Sequence, residues 1–119
     1  MEAQVTKNSS FFYACKENYF LGILPADPKS KDKAGYQALV NIAKVYFSLG
    51  LYEPIVQYLN EGRYYMKIWS AYLILEYGNP GEDLKASCLE TIKGTITQFQ
   101  KELSAQQIDF FTAYLKEKY

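Results

Sequence analysis

The stretch DPKSKDKAGYQALVNIAKVYFSLG, residues 27–50, decides the fold class. At about 100° of rotation per residue, Tyr36, Leu39, Ile42, Ala43, Tyr46 and Phe47 fall on one helical face, and Lys33, Gln37, Asn41, Lys44 and Ser48 fall on the other. Asp27 with Pro28 is a cap and first-turn proline pair, and Gly50 is a natural stop, so the spacing predicts a helix from Asp27 to Leu49. Nowhere does the chain show the strict alternation of a half-buried strand. The expectation is an all-α protein.

Upstream, Asn8, Ser9 and Ser10 are candidate caps for a helix over Ser9 to Leu24 that carries Phe12, Cys15, Tyr19 and Ile23 at helical spacing and ends before Pro25. Gly22 weakens its last turn. Downstream, a short helix over Tyr52 to Leu59 tolerates Pro54 in its first turn, and Asn60 to Gly62 read as a tight turn. A fourth helix spans Arg63 to Tyr77 and is apolar over most of its circumference, with Arg63, Lys67 and Ser70 confined to a narrow stripe. Gly78 ends it. Asn79, Pro80 and Glu82 then form a capping box for a fifth helix, along which Leu84, Cys88, Ile92, Ile96, Phe99 and Leu103 make one apolar stripe. Gly94, among threonines and isoleucines, is a point where that helix either continues or breaks. Ser104 and Gln107 form another capping box, opening a last helix with Ile108, Phe111 and Leu115 turned inward. Six helical segments with short connections imply an antiparallel bundle or a short α-superhelix.

At 119 residues, with 49% hydrophobic and 22% charged side chains, the chain reads as one globular domain over residues 1–119. Thirteen basic residues balance thirteen acidic ones, so the electrostatic drive toward nucleic acid is missing. The chain has no histidine, which removes the commonest general base and transition-metal ligand. Glycine-rich phosphate loops, metal-ligand clusters and nucleophile–base sets are likewise missing from the sequence. Glu82 and Asp83 are adjacent carboxylates, but a helix's first turn favours them for reasons unrelated to chemistry. The expectation is a protein that is not an enzyme, with no catalytic residues, no metal and no cofactor. The start MEAQVTKNSS is not an apolar leader, and the apolar run Ile68 to Leu75 is far short of the ~20 residues that span a bilayer, so a cytoplasmic protein without a membrane partner is expected. Cys15 and Cys88 read as buried free thiols.

The unusual feature is the 17% aromatic content, with 12 tyrosines. Tyrosine packs on its ring while offering a hydroxyl, and is enriched at protein interfaces. Most of the rings are assigned to the core. Tyr64, Tyr65 and Trp69 are the exceptions, because an almost wholly apolar helix hardly buries every ring, and Lys67 lies beside them. These four are the candidate partner-binding residues, facing a protein partner or a second copy of the chain.

The repeat question is settled by spacing. Segments YFSLGLYEP (46–54) and LEYGNPGED (75–83) place their glycines 28 residues apart, shorter than the ~34 of a tetratricopeptide unit or the ~40 to 47 of a HEAT unit. Over Asp27 to Ile92, however, the runs DPKSKDKAGYQALVNIAKVYFSLG, YEPIVQYLNEGRYYMKIWSAYLIL and NPGEDLKASCLETI together resemble a small bacterial HEAT-like helical family of unknown function. In that family a helix follows the pattern hydrophobic, basic, hydrophobic, aromatic, small, small, matched here by Met66, Lys67, Ile68, Trp69, Ser70 and Ala71. The chain departs from it by placing Arg63, Tyr64 and Tyr65 where an Asn-Pro turn is usual. The resemblance implies a compact α-superhelix in a group of folds that bind proteins, some of which are similar to immunity proteins of bacterial toxin systems. A toxin or effector is the partner so implied.

Overall fold

The computed structural model describes the backbone of residues 2–98 and 105–118, and the side chains of residues 11–97 and 108–118. It is all-α among the described residues: α1 (Glu2–Leu21), α2 (Ala34–Ser48), α3 (Glu53–Val56), α4 (Met66–Leu73), α5 (Glu82–Gln98) and α6 (Ala105–Lys118). A 3₁₀ turn over Gln57–Asn60 follows α3, and a π turn over Ile74–Gly78 closes α4.

The α4 helix lies at the centre. Met66, Ile68, Trp69, Ser70, Ala71, Tyr72 and Leu73 are all buried, and the helix packs against α5, α1, α3 and the Gln57–Asn60 turn. A helix apolar nearly all round has to be covered on every side, and this one is. Ser70 Oγ donates to the carbonyl of Ile55 at 3.0 Å, which ties α4 to α3. The core face expected of α2 holds for Tyr36, Leu39, Ala43 and Tyr46, with Val40 added, while Ile42 and Phe47 are half-buried at its margin.

Several expected boundaries are corrected. The first helix begins at Glu2, so Asn8, Ser9 and Ser10 lie within it and not at its start. It ends at Gly22, whose φ of 73° lets Ile23 N–H reach the Asn18 carbonyl at 2.9 Å and Gly22 N–H that of Tyr19 at 3.4 Å, a Schellman C-cap. Asp27 does not open α2. Its carboxylate accepts from Lys29 N–H and from Ser30 Oγ–H instead, holding residues 24–33 in successive turns, and α2 starts only at Ala34. A short acidic side chain that can bond its own downstream backbone competes with the helix, and here it wins.

One further expectation fails for a related reason. Asn79 adopts the left-handed conformation (φ 47°, ψ 58°) after the π turn, so it terminates that segment; Gly81, whose carbonyl accepts from Lys85 N–H, stands at the start of α5. Gly94 lies inside α5, which is continuous to Gln98; Thr95 and Thr97 donate their hydroxyls back to the carbonyls of Thr91 and Lys93 and so satisfy their polar groups within the helix. The inward positions Phe99 and Leu103 and the Ser104 cap lie outside the described residues. Cys15 and Cys88 are free and buried; burial raises both thiols well above their usual range, Cys88 to about 12.

Candidate functional site

The fourth helix is expected to begin at Arg63, but it does not. Tyr64 (φ 52°, ψ 31°) and Tyr65 (φ 59°, ψ 23°) are both left-handed, and Met66 N–H donates to the Arg63 carbonyl. That is the geometry of a type I′ turn, whose central positions are ordinarily Asn, Asp or Gly. Each L-residue held there costs about 1–2 kcal/mol. A second backbone bond closes the loop, from Lys67 N–H to the Glu61 carbonyl at 2.9 Å.

What holds two tyrosines in this conformation is α1. The Tyr64 ring meets Phe12, Tyr19 and Phe20 at centroid distances of 5.9, 5.5 and 6.0 Å, and the Tyr65 ring meets Tyr19 at 5.2 Å, all tilted or edge-on. Pairs of this kind contribute about 0.5–1.5 kcal/mol each beyond their burial, so together they match the backbone cost. Further ring pairs, Phe12 with Tyr13 at 5.7 Å and Tyr19 with Phe20 at 5.3 Å, join six aromatics into one connected cluster.

Half of that cluster faces solvent. Phe20 is 70% exposed, Tyr13 63% and Tyr19 43%, with Leu21 exposed beside them. The stripe arises because α1 buries Phe11, Cys15 and Asn18, which leaves Phe12, Tyr13, Tyr19 and Phe20 along the helix's margin and outer face. The rim carries both signs. Arg63 places its guanidinium 5.2 Å from the centre of the Phe12 ring while donating from Nε to Glu61 Oε2 at 2.9 Å, and those bonds hold the Glu61 carboxyl below the usual range. Lys16 and Glu17 lie on α1 between the two aromatic pairs.

The candidate residues from the sequence thus separate. Tyr64 and Tyr65 belong to the cluster, half-buried beneath the α1 rings. Lys67 lies close by, half-buried, through the backbone bond that closes the turn. Trp69 does not belong: it is fully buried at the centre, edge-on to Tyr36 at 5.3 Å, with its indole N–H unpartnered. The expected helix from Arg63 carried both Tyr65 and Trp69, and Tyr65 is not helical. The sequence reading missed Tyr13 and Phe20 and assigned Phe12 and Tyr19 to the core face. The seven-residue spacing of Phe12-Tyr13 to Tyr19-Phe20 was the available signal, since positions seven apart stack on one side of a helix.

Elsewhere the structure offers less. Tyr36 donates to Tyr72 Oη at 2.8 Å and accepts from Ala26 N–H at 3.3 Å, which ties α2 to α4, and separately Tyr114 donates to Glu76 at 2.8 Å, which ties α6 to the π turn. Glu82 and Asp83 are exposed on the first turn of α5. Among the described residues no group of three potential ligands gathers to hold a metal ion, and no helix is long and apolar enough to cross a membrane. No family model, no curated protein and no solved structure matches the chain.

Proposed function

We propose that this chain is a non-enzymatic protein-binding module that engages its partner through the aromatic cluster of α1 and the Tyr64–Tyr65 turn. The observation that carries the reading is the exposure of Tyr13, Tyr19 and Phe20 on a formed helix, contiguous with three further rings and rimmed by charges of both signs. Scattered exposed apolar residues need no explanation, whereas a connected patch of rings on a formed helix does. Aromatic anchors inside a mixed polar rim are the anatomy of a protein interface. The mixed rim is a poorer fit to an anionic membrane surface or to nucleic acid, which call for an excess of Lys and Arg. The most concrete form of the reading, an immunity-type inhibitor that occludes a toxin or effector, follows from the HEAT-like resemblance and is proposed on that ground.

Capture of partners with the wild type and with Phe20→Ala tests it. Phe20 is mostly solvated, so its truncation loses only its ring contacts to Tyr19 and Tyr64, about 1–3 kcal/mol of stability, and leaves the protein folded, while a hot-spot ring costs about 2 kcal/mol or more of binding, close to thirtyfold in affinity. A captured protein held equally well by Phe20→Ala contradicts the proposal. A wild type that self-associates, and is made monomeric by Phe20→Ala, assigns the patch to a second copy of the chain instead.

A further inference from the structure

We propose that Arg63–Tyr65 is a two-state segment: a left-handed turn held against α1 when the aromatic seam is closed, and the first turn of α4 when that seam is opened. The partner-driven opening rests on the protein-binding reading above; the two states themselves do not.

The segment over residues 63–67 is RYYMK. It contains no Gly, Asn, Asp or Pro, the residues that type I′ turns use, and its apolar pattern continues that of α4 without interruption. Local preference therefore favours helix through Arg63. The observed conformation opposes that preference at two consecutive residues, which are held from outside by Phe12, Tyr19 and Phe20. Backbone strain and ring packing are opposed and of similar size, the condition under which a modest perturbation moves a population.

The backbone bonding supplies a discrete alternative. Lys67 N–H now donates to Glu61, six residues back. In a continuous helix the same N–H donates to Arg63, four residues back, and Met66 N–H passes from the Arg63 carbonyl to that of Gly62, so both donors have an acceptor in either state. Gly62, immediately upstream at φ −81°, has no side chain to obstruct the change. The core residue Met66 and everything after it keep their places, since Met66 is already helical. The rings that hold the turn are also the rings that face solvent: Tyr19 touches both Tyr64 and Tyr65 and is 43% exposed. A partner that wedges against Tyr19 thus competes directly for the contacts that hold the segment, and its binding is coupled to a change of shape at the N-terminal end of the central helix.

Nuclear magnetic resonance on the free full-length protein tests the two states without a partner. The readouts are the intraresidue Hα–HN contact at Tyr64 and Tyr65, short only in the left-handed conformation, and the hydrogen-bond coupling from Lys67 N to either the Glu61 or the Arg63 carbonyl. Wild type is expected to show the left-handed signature with Glu61 as acceptor. Tyr19→Ala, at a half-solvated position, should move most of the population to helix with Arg63 as acceptor. Adding Tyr65→Gly to Tyr19→Ala should return the segment to the turn, because glycine adopts positive φ without cost. A Tyr19→Ala variant that keeps the left-handed signature, or that loses structure over residues 63–67 without gaining helix, overturns the proposal. Either result leaves the binding reading intact, since that reading is decided by Phe20→Ala alone.

Discussion

Replacing Gly35 by alanine should destabilise this protein, although the same change at Gly94 should stabilise it. Gly35 is in the first turn of α2, and a Cβ built there falls on Asn18 Oδ1 and within 3.0 Å of Ile23 Cδ1. Asn18 cannot simply turn away: it is 1% exposed and its Nδ2 donates to the Gly35 carbonyl at 3.0 Å. Displacing it leaves a buried amide unpaired, at a cost of about 1–3 kcal/mol, against which alanine's better helix propensity returns at most about 1 kcal/mol. The net loss is about 1–2 kcal/mol, or roughly 4–8 °C in melting temperature for a chain of this size. Gly94 has nothing within 4 Å of an added Cβ and is in the interior of α5, so Gly94→Ala should gain about 0.5–1 kcal/mol. Urea unfolding followed by circular dichroism reads both variants. Shifts of the same sign would refute the reasoning, because the contacts to Asn18 and Ile23 are what separate the two sites. The contact also bears on function, since Asn18 precedes Tyr19 and Phe20 and fixes where α1 presents them.

Trp69→Ala should cost about 3–5 kcal/mol of stability, the range for removing a fully buried large aromatic, and a melting curve like that of Phe20→Ala would show that Trp69 is not core. Tyr46→Phe should be neutral or stabilising by up to about 1 kcal/mol, because its buried hydroxyl has no partner to lose; a clear destabilisation in urea would reveal one. Alkaline pH should unfold the protein early. Burial lifts Tyr36 from 10.0 to about 12 and Cys88 from 9.0 to about 12, and raises Tyr72 further, so the folded state keeps protons that the unfolded chain releases. That stability is fully present below about pH 9 for Cys88 and about pH 10 for the tyrosines, and above those values falls by about 1.4 kcal/mol per pH unit for each group until its folded value is reached. Urea midpoints that stay flat across this window would contradict it, and Cys88→Ala should delay the onset.

The helical class was legible because the α2 periodicity is long and two-sided. The misplaced boundaries share one cause. Asp27, Asn79 and the Asn8 to Ser10 run carry side chains that serve a helix start, a turn or a helix stop equally well, and which role each takes is decided by neighbours that a linear reading does not see: Ser30 for Asp27, the preceding π turn for Asn79. The candidate site was half legible. Tyr64 and Tyr65 attracted attention through their surroundings, but their left-handed conformation is imposed from α1, a tertiary override of a sequence that reads as helix. Trp69 was misread because an apolar circumference leaves open whether a given ring faces the core or solvent, and here the central position of α4 buries them all.

The central claim is that the α1 rings are where this protein meets another. A photo-crosslinking phenylalanine analogue at Phe20, with a control at the exposed Asn41 on α2, tests it in the source cells. The account predicts a defined adduct with a different protein from position Phe20 and none from Asn41. Adducts from Asn41 alone, or adducts from Phe20 only with further copies of the same chain, would contradict it.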